Sequence, residues 1–189
     1  ARIAAAMGAD VAVLSRSAGP LQKLQAELGP RLHADLSTTA SIGREVERAD
    51  AVIGTAMATG GLAPKLVTRA MVGTMKKGSV LVDVSIDQGG CFETSRPTTH
   101  ADPVFTVNGV THYCVANMPG AVPRTSTYAL NRATLPFVLE LAQRGVTEAL
   151  RTNAGLRDGL NICRGKVTRK EVAEALGYTH TEAREALAS

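Results

Sequence analysis

The chain has 189 residues, 44% of them hydrophobic and 20% charged, with a formal net charge of +4. Aromatics make up only 3% and Trp is absent, so a core must be built from Ala, Val, Leu and Ile, and no stacking platform for single-stranded nucleic acid is available. There is no apolar run of 18 residues and no basic stretch leading into a hydrophobic one at the start, so a soluble, cytoplasmic protein without a membrane partner is expected.

In chain order, residues 1–9 carry strong helix formers with no preceding cap, turn at Gly8, and run into the apolar segment Val11-Ala12-Val13-Leu14. A helix without a start that feeds a short buried strand is half of a βαβ unit. The chain is therefore expected to be truncated at its N-terminus and to lack the first strand of its sheet. Residues 20–28 read as a helix, with Pro20 in its first turn and Leu21, Leu24 and Leu28 on one face. A short strand at 31–34 and a helix at 41–48 with Ile42 and Val46 inward come next. The strand Ala51-Val52-Ile53-Gly54 and a glycine-containing loop over 55–63 follow. The helix predicted over 67–75 stops at Lys76-Lys77-Gly78, cations and glycine being usual at that end, and a strand occupies 79–84. Strand–helix alternation with short connections predicts an α/β protein with a doubly wound parallel sheet and right-handed crossovers.

After residue 100 the pattern changes. Asn108-Gly109, set between β-rich flanks over 104–115, signals a tight hairpin. A loop rich in Pro and Gly covers 117–123, and everything beyond it is expected to be helical. A long helix over 125–143 is predicted to kink near Arg132 because of Pro136. The last helix is predicted to open on the capping box Thr168-Arg169-Lys170-Glu171 and to close at Gly177. A domain boundary is placed near residue 124, dividing the chain into 1–124 and 125–189.

The basic residues are scattered, with Lys76-Lys77 and Arg169-Lys170 the densest pairs, so the charge describes a solvated surface and no nucleic-acid partner is expected. Cys91, Cys114 and Cys163 are odd in number and lack CxxC spacing, which reads as reduced thiols. His112 and Cys114 alternate on one strand face with His100 nearby, but no fourth ligand stands at a recognisable spacing and no metal is assigned.

The densest chemical signal is Val82-Asp83-Val84-Ser85-Ile86-Asp87-Gln88-Gly89-Gly90-Cys91-Phe92-Glu93. A β-branched run ends in a carboxylate followed by paired glycines. In open α/β sheets ligands bind beyond the carboxyl ends of strands, where glycine lets backbone approach them closely. Asp87 therefore reads either as a catalytic or cofactor-contacting acid or as a turn cap. At the end of the second strand of such a fold, an acid normally accepts from the adenosine ribose hydroxyls; here Ser15 stands there, followed by Arg16. An uncharged residue beside a guanidinium suits a ribose 2′-phosphate, so NADP is expected alongside NAD; alternatively Ser15 meets a ribose hydroxyl and Arg16 faces solvent.

Two long blocks carry a resemblance. Ile86-Asp87-Gln88-Gly89-Gly90-Cys91-Phe92-Glu93-Thr94-Ser95-Arg96-Pro97-Thr98-Thr99-His100 closely resembles the signature of the bacterial alanine dehydrogenase family. His112-Tyr113-Cys114-Val115-Ala116-Asn117-Met118-Pro119-Gly120-Ala121-Val122-Pro123-Arg124-Thr125-Ser126-Thr127 does so too, as does Ala63-Pro64-Lys65-Leu66-Val67. Related nicotinamide nucleotide transhydrogenases are less similar at the two long blocks. The resemblance implies reversible, NAD(P)-dependent oxidative deamination of L-alanine to pyruvate and ammonia. It also implies a Rossmann nucleotide-binding domain over 1–124, lacking its first strand and glycine-rich loop, a helical share of the substrate domain over 125–189, and a homo-oligomer, hexameric in that family. Asp87 corresponds to the active-site aspartate facing nicotinamide and substrate. Val84 and Ile86 match the strand-end segment lining the nicotinamide pocket, and Asn117 and Met118 the loop closing over it. Ser37 matches a serine near the adenosine half, and Ala56 and Met57 match contacts along the cofactor. Ser15 replaces the usual ribose-binding acid, and Thr59-Gly60-Gly61-Leu62 departs from the usual Pro-Gly-Ala-Lys. The family's acid/base histidine and its substrate-holding Arg and Lys belong to a preceding region, so His33, His100, His112 and His180 are not assigned in their place. The segment alone is expected to be inactive. A transhydrogenase-type nucleotide domain and a non-catalytic nucleotide-binding or oligomerisation module are the alternatives.

Overall fold

The computed structural model describes residues 1–58 and 61–188. The chain divides into two compact units, Ala1–Met57 with Ala63–Ala116, and Ala58–Leu62 with Asn117–Ser189.

In the first unit, helix α1 (Arg2–Ala6) leads to strand β1 (Val11–Ser15), helix α2 (Ala18–Leu28), strand β2 (Leu32–Leu36) and helix α3 (Thr39–Arg48). Strand β3 (Ala51–Gly54), helix α4 (Arg69–Thr74) and strand β4 (Val80–Asp83) continue the alternation, and β5 (Val104–Val107) and β6 (Val110–Tyr113) close it as a hairpin. The helix ends follow local chemistry. Thr38 accepts from the Ser41 N–H at 3.0 Å while the Ser41 hydroxyl accepts from the Thr38 N–H at 2.9 Å, a reciprocal cap that satisfies two otherwise unpaired donors. Thr68 caps α4 through the Met71 N–H. Asn108 and Gly109 both take positive φ, 53° and 80°, as the two-residue hairpin turn requires.

The strands form two sheets rather than one continuous ladder. β1 and β2 pair in parallel, and the second sheet has the order β3-β4-β6-β5. Within it β4 lies between β3 and β6, parallel to both, and only the β5–β6 pair is antiparallel. Among the described residues β1 and β3 share no ladder, so each leaves an edge open. The core of this unit gathers Ile42, Val46, Val67, Val72, Met75, Leu81, Phe92 and Val110. Gly54, at the end of β3, is buried against Cys91 and Phe92; a Cβ there would overlap the Phe92 ring at 2.6 Å.

The second unit is mainly helical. It holds α5 (Pro123–Arg144), α6 (Val146–Thr152), α7 (Ala154–Asp158), α8 (Lys170–Leu176) and α9 (Ala183–Ala188), and its buried apolar residues include Ala149, Leu150, Ala173, Ala186 and Leu187. α5 runs through Pro136, which has no N–H to offer the Arg132 carbonyl. Two expectations are corrected. The segment beyond residue 125 is not wholly helical: β7 (Ile162–Cys163) and β8 (Lys166–Val167) form a hairpin whose turn, Arg164-Gly165, takes positive φ. The capping box at Thr168 does not form, because its buried hydroxyl donates to the Leu160 carbonyl at 2.7 Å and α8 begins after Arg169 without a side-chain cap. Gly177 does end α8 in the left-handed conformation. Among the described residues, no helix is long and apolar enough to cross a membrane.

Candidate functional site

The site grows from the end of β4. The strand is apolar up to Val82, then places Asp83 fully buried at its last position. A buried carboxylate is costly unless donors surround it, and here five converge. Oδ1 accepts from the Ser85 N–H at 3.1 Å and the Cys91 thiol at 3.5 Å. Oδ2 accepts from the Cys91 N–H at 2.9 Å, the Phe92 N–H at 3.4 Å and the Ser95 hydroxyl at 2.5 Å. The chain leaving the strand is thereby wound into a short 3₁₀ turn, Val84–Gln88, which Asp83 caps, and returns past it through Gly89 and Gly90.

Asp87 lies on this turn with its side chain exposed, and among the described residues its carboxylate has no hydrogen-bond partner. The capping duty that sequence reasoning left open for Asp87 is performed by Asp83. Val84 beside it is 48% exposed, whereas Ile86 points inward and is buried. The turn is tied to its surroundings: the Ser85 hydroxyl donates to the Ala56 carbonyl at 2.6 Å, and the Ala63 N–H donates to the Gln88 carbonyl at 2.8 Å. Ala56, predicted to lie along a cofactor, thus sits beside the turn. Met57 follows it, largely exposed.

The two predicted adenosine-side serines meet at the ends of adjacent parallel strands. Ser15 closes β1, and its carbonyl accepts from the Ser37 N–H at 2.9 Å just past the end of β2. The half-buried Ser15 hydroxyl accepts from the Ser17 N–H at 3.3 Å, at the start of α2. Arg16 between them is exposed and forms no ion pair among the described residues. Asn117 and Met118 belong to the second unit, where Asn117 adopts a left-handed conformation (φ 57°) ahead of a 3₁₀ turn, Met118–Ala121. Of the departing tetrad, Thr59 and Gly60 lie outside the described residues.

The surrounding polar groups are structural. His112 is fully buried; Nδ1 lies 3.0 Å from the Val110 carbonyl, which can only accept, so Nε2 at 2.7 Å accepts from the Thr94 hydroxyl. Phe105 stacks on its ring at 4.9 Å, and the Arg96 guanidinium lies over the Phe105 ring, 4.1 Å from its centroid. Burial holds the His112 imidazole below its ordinary pKa. Burial, reinforced by the Asp83 charge, pushes the Cys91 thiol up to about 11, and burial also raises Cys114.

Sequence reasoning missed Asp83, Lys65, Ser85 and Ser95. The signal was present: an acid inside an apolar strand demands donors, and two serines and a glycine pair lie within twelve residues downstream.

Comparison with known proteins gives concordant findings. A family model described as the C-terminal domain of alanine dehydrogenase/PNT matches residues 1–170. An alanine dehydrogenase of Halomonas elongata is 52% identical over 183 residues, covering 97% of this chain and 49% of that protein. One of Mycobacterium tuberculosis is 50% identical over 188 residues, 100% of this chain and 51% of that protein. A solved structure of an L-alanine dehydrogenase superimposes with a TM-score of 0.82 at 41% identity, covering 93% of this chain and 48% of that one. The chain spans about half the length of the curated relatives it matches.

Proposed function

The chain belongs to the alanine dehydrogenase/PNT C-terminal domain family, and from that premise we propose that it is the C-terminal half of a cytoplasmic enzyme interconverting L-alanine with pyruvate and ammonia. The observation that carries this reading is the identity of about half of all residues, along essentially the whole chain, with proteins named alanine dehydrogenase. In this reading residues 1–124 are the nucleotide-binding portion and 125–189 a share of the substrate domain, and the complete enzyme is a homo-hexamer. The open edges of β1 and β3 are consistent with a further strand preceding Ala1.

The residues present suit a dinucleotide. Ser15 and Ser37 offer hydroxyls at neighbouring strand ends with Arg16 beside them, and Ala56, Met57, Val84 and Ile86 frame the ends of β3 and β4. The proposed site is drawn from the first unit alone. The bound nicotinamide supplies the acceptor for the α-hydrogen of alanine. Asp87 then does the protein's share: its carboxylate stabilises the iminium cation developing on the substrate and orients, or takes a proton from, the water that attacks it. An exposed acid without competing partners among the described residues, on a turn fixed from beneath, is free for that duty.

The complete enzyme should reduce NAD or NADP with alanine, and oxidise the reduced form only with pyruvate and ammonia together. Hydride exchange between two nicotinamides without an amino acid would overturn the reading. Asp87→Asn is expected to lower turnover by at least about a hundredfold while nucleotide binding, followed by fluorescence titration, persists. Near-normal turnover would remove Asp87 from the mechanism.

A further inference from the structure

We propose that Asp83 and Lys65 form a two-sided clamp on the turn bearing Asp87, and that both are positioning residues for the reaction. The inference rests on the alanine dehydrogenase reading and adds to it two charged groups that touch neither substrate nor cofactor.

The argument begins with how the backbone of residues 84–92 is satisfied. A loop at a strand end ordinarily leaves N–H and C=O groups to water, and such loops move. Here the two sets of groups are collected by two opposite charges. From within, the Asp83 carboxylate gathers the N–H groups of Ser85, Cys91 and Phe92 and adds the Ser95 hydroxyl. From without, the Lys65 ammonium donates to the carbonyls of Gly89 at 2.6 Å, Gly90 at 2.8 Å and Phe92 at 3.3 Å. An ammonium has three protons, and three carbonyls take them. Every one of these bonds has a charged partner, the class stronger than bonds between neutral groups.

The glycines belong to the same device. Gly89 and Gly90 both take positive φ, 86° and 76°. A Cβ on Gly90 would stand 2.6 Å from Asp83 Oδ2, so the backbone closes on the carboxylate only because nothing projects from it. Lys65 follows Ala63, whose N–H holds the Gln88 carbonyl, which brings the ammonium to the same turn. Asp87 is the one acidic side chain on the clamped turn, and among the described residues nothing holds its own carboxylate. Its placement is therefore set by the backbone beneath it. An error of about 1 Å in a reacting group can cost on the order of a hundredfold in rate, which is what the clamp prevents.

The test is a set of double-mutant cycles in the complete enzyme. Lys65→Met keeps the stem and loses the charge, Asp83→Asn turns one acceptor into a donor facing donors, and Ser95→Ala removes a single bond to Asp83. Each is made alone and with Asp87→Asn. Expected losses in kcat are about tenfold or more for K65M and D83N and smaller for S95A, with KM for the cofactor within about threefold. Against the D87N background each should cost less than about twofold further, because a group acting through Asp87 has nothing left to position. If D83N does not fold, K65M and S95A carry the test. An active wild type whose variants lose the same factor again in the D87N background, or a K65M variant with unchanged kcat, overturns the clamp alone. A folded wild type without alanine-dependent turnover overturns the parent reading and the clamp with it.

Discussion

In the proposed reading, cofactor choice turns on one side chain at the end of β1. A carboxylate at position 15 would accept from both ribose hydroxyls and repel a 2′-phosphate. The Ser15 hydroxyl instead accepts from the Ser17 N–H and carries no charge, and the exposed guanidinium of Arg16 beside it suits a phosphate. In the complete enzyme Ser15→Asp is therefore expected to shift the ratio of kcat/KM for NAD over NADP by at least about tenfold in favour of NAD, equivalent to about 1.4 kcal/mol. Steady-state assays with both cofactors read this out. A ratio unchanged by the substitution would mean that the ribose end of the cofactor does not lie against Ser15.

Elements whose formation is written in local pattern were legible in the sequence itself. The apolar runs at β1, β3 and β4 and the Asn108-Gly109 turn fell where period and turn chemistry put them. The cap at the start of α3 went unread, that helix being expected from residue 41 rather than from Thr39. Thr38 and Ser41 satisfy each other at the start of α3, so Thr38→Ala should destabilise the first unit by about 1 kcal/mol, measurable as a shift in the urea unfolding midpoint. A change below about 0.3 kcal/mol would show the cap to be redundant. Thr168 does carry the Thr-x-x-Glu capping-box signature, but tertiary structure offers its hydroxyl the Leu160 carbonyl, and no local rule anticipates that competition. The two-residue strands β7 and β8 are too short to leave a period. The candidate site shows the same division. Strand, acid and glycines led to the expectation of a ligand site at the end of β4, yet which of two acids four residues apart turns inward depended on donors up to twelve residues away. Asp83 is committed to Ser85, Cys91, Phe92 and Ser95, and that commitment leaves Asp87 available.

For the whole molecule, the first loss of stability on acidification is expected from a histidine buried in β6. His112 lies in β6 beside β4, fully buried, with both ring nitrogens engaged in its neutral form. Burial lowers its pKa in the folded state below the ordinary 6.5. The unfolded chain therefore binds the proton more readily, and stability falls wherever it does so. The contribution of neutral His112 is intact above the unfolded value and is lost as pH falls from there toward the lowered folded value. A second window lies further down. Asp35 and Glu27, held below their ordinary values of 3.8 and 4.5 chiefly by hydrogen bonds from Arg44 and Arg2, lose their contribution only as pH drops past those values. Both carboxylates are solvent-facing and screened, so their share is small. Thermal unfolding midpoints are thus expected to hold steady from pH 8 to about 7 and to decline as pH falls below about 6.5. His112→Gln, which offers a donor and an acceptor but no ionisation near neutral pH, should start from a lower midpoint, because it loses the stacking on Phe105, and should show a flatter profile over that interval. If the variant declined as steeply as the parent, the acid sensitivity would have to arise from groups other than this imidazole.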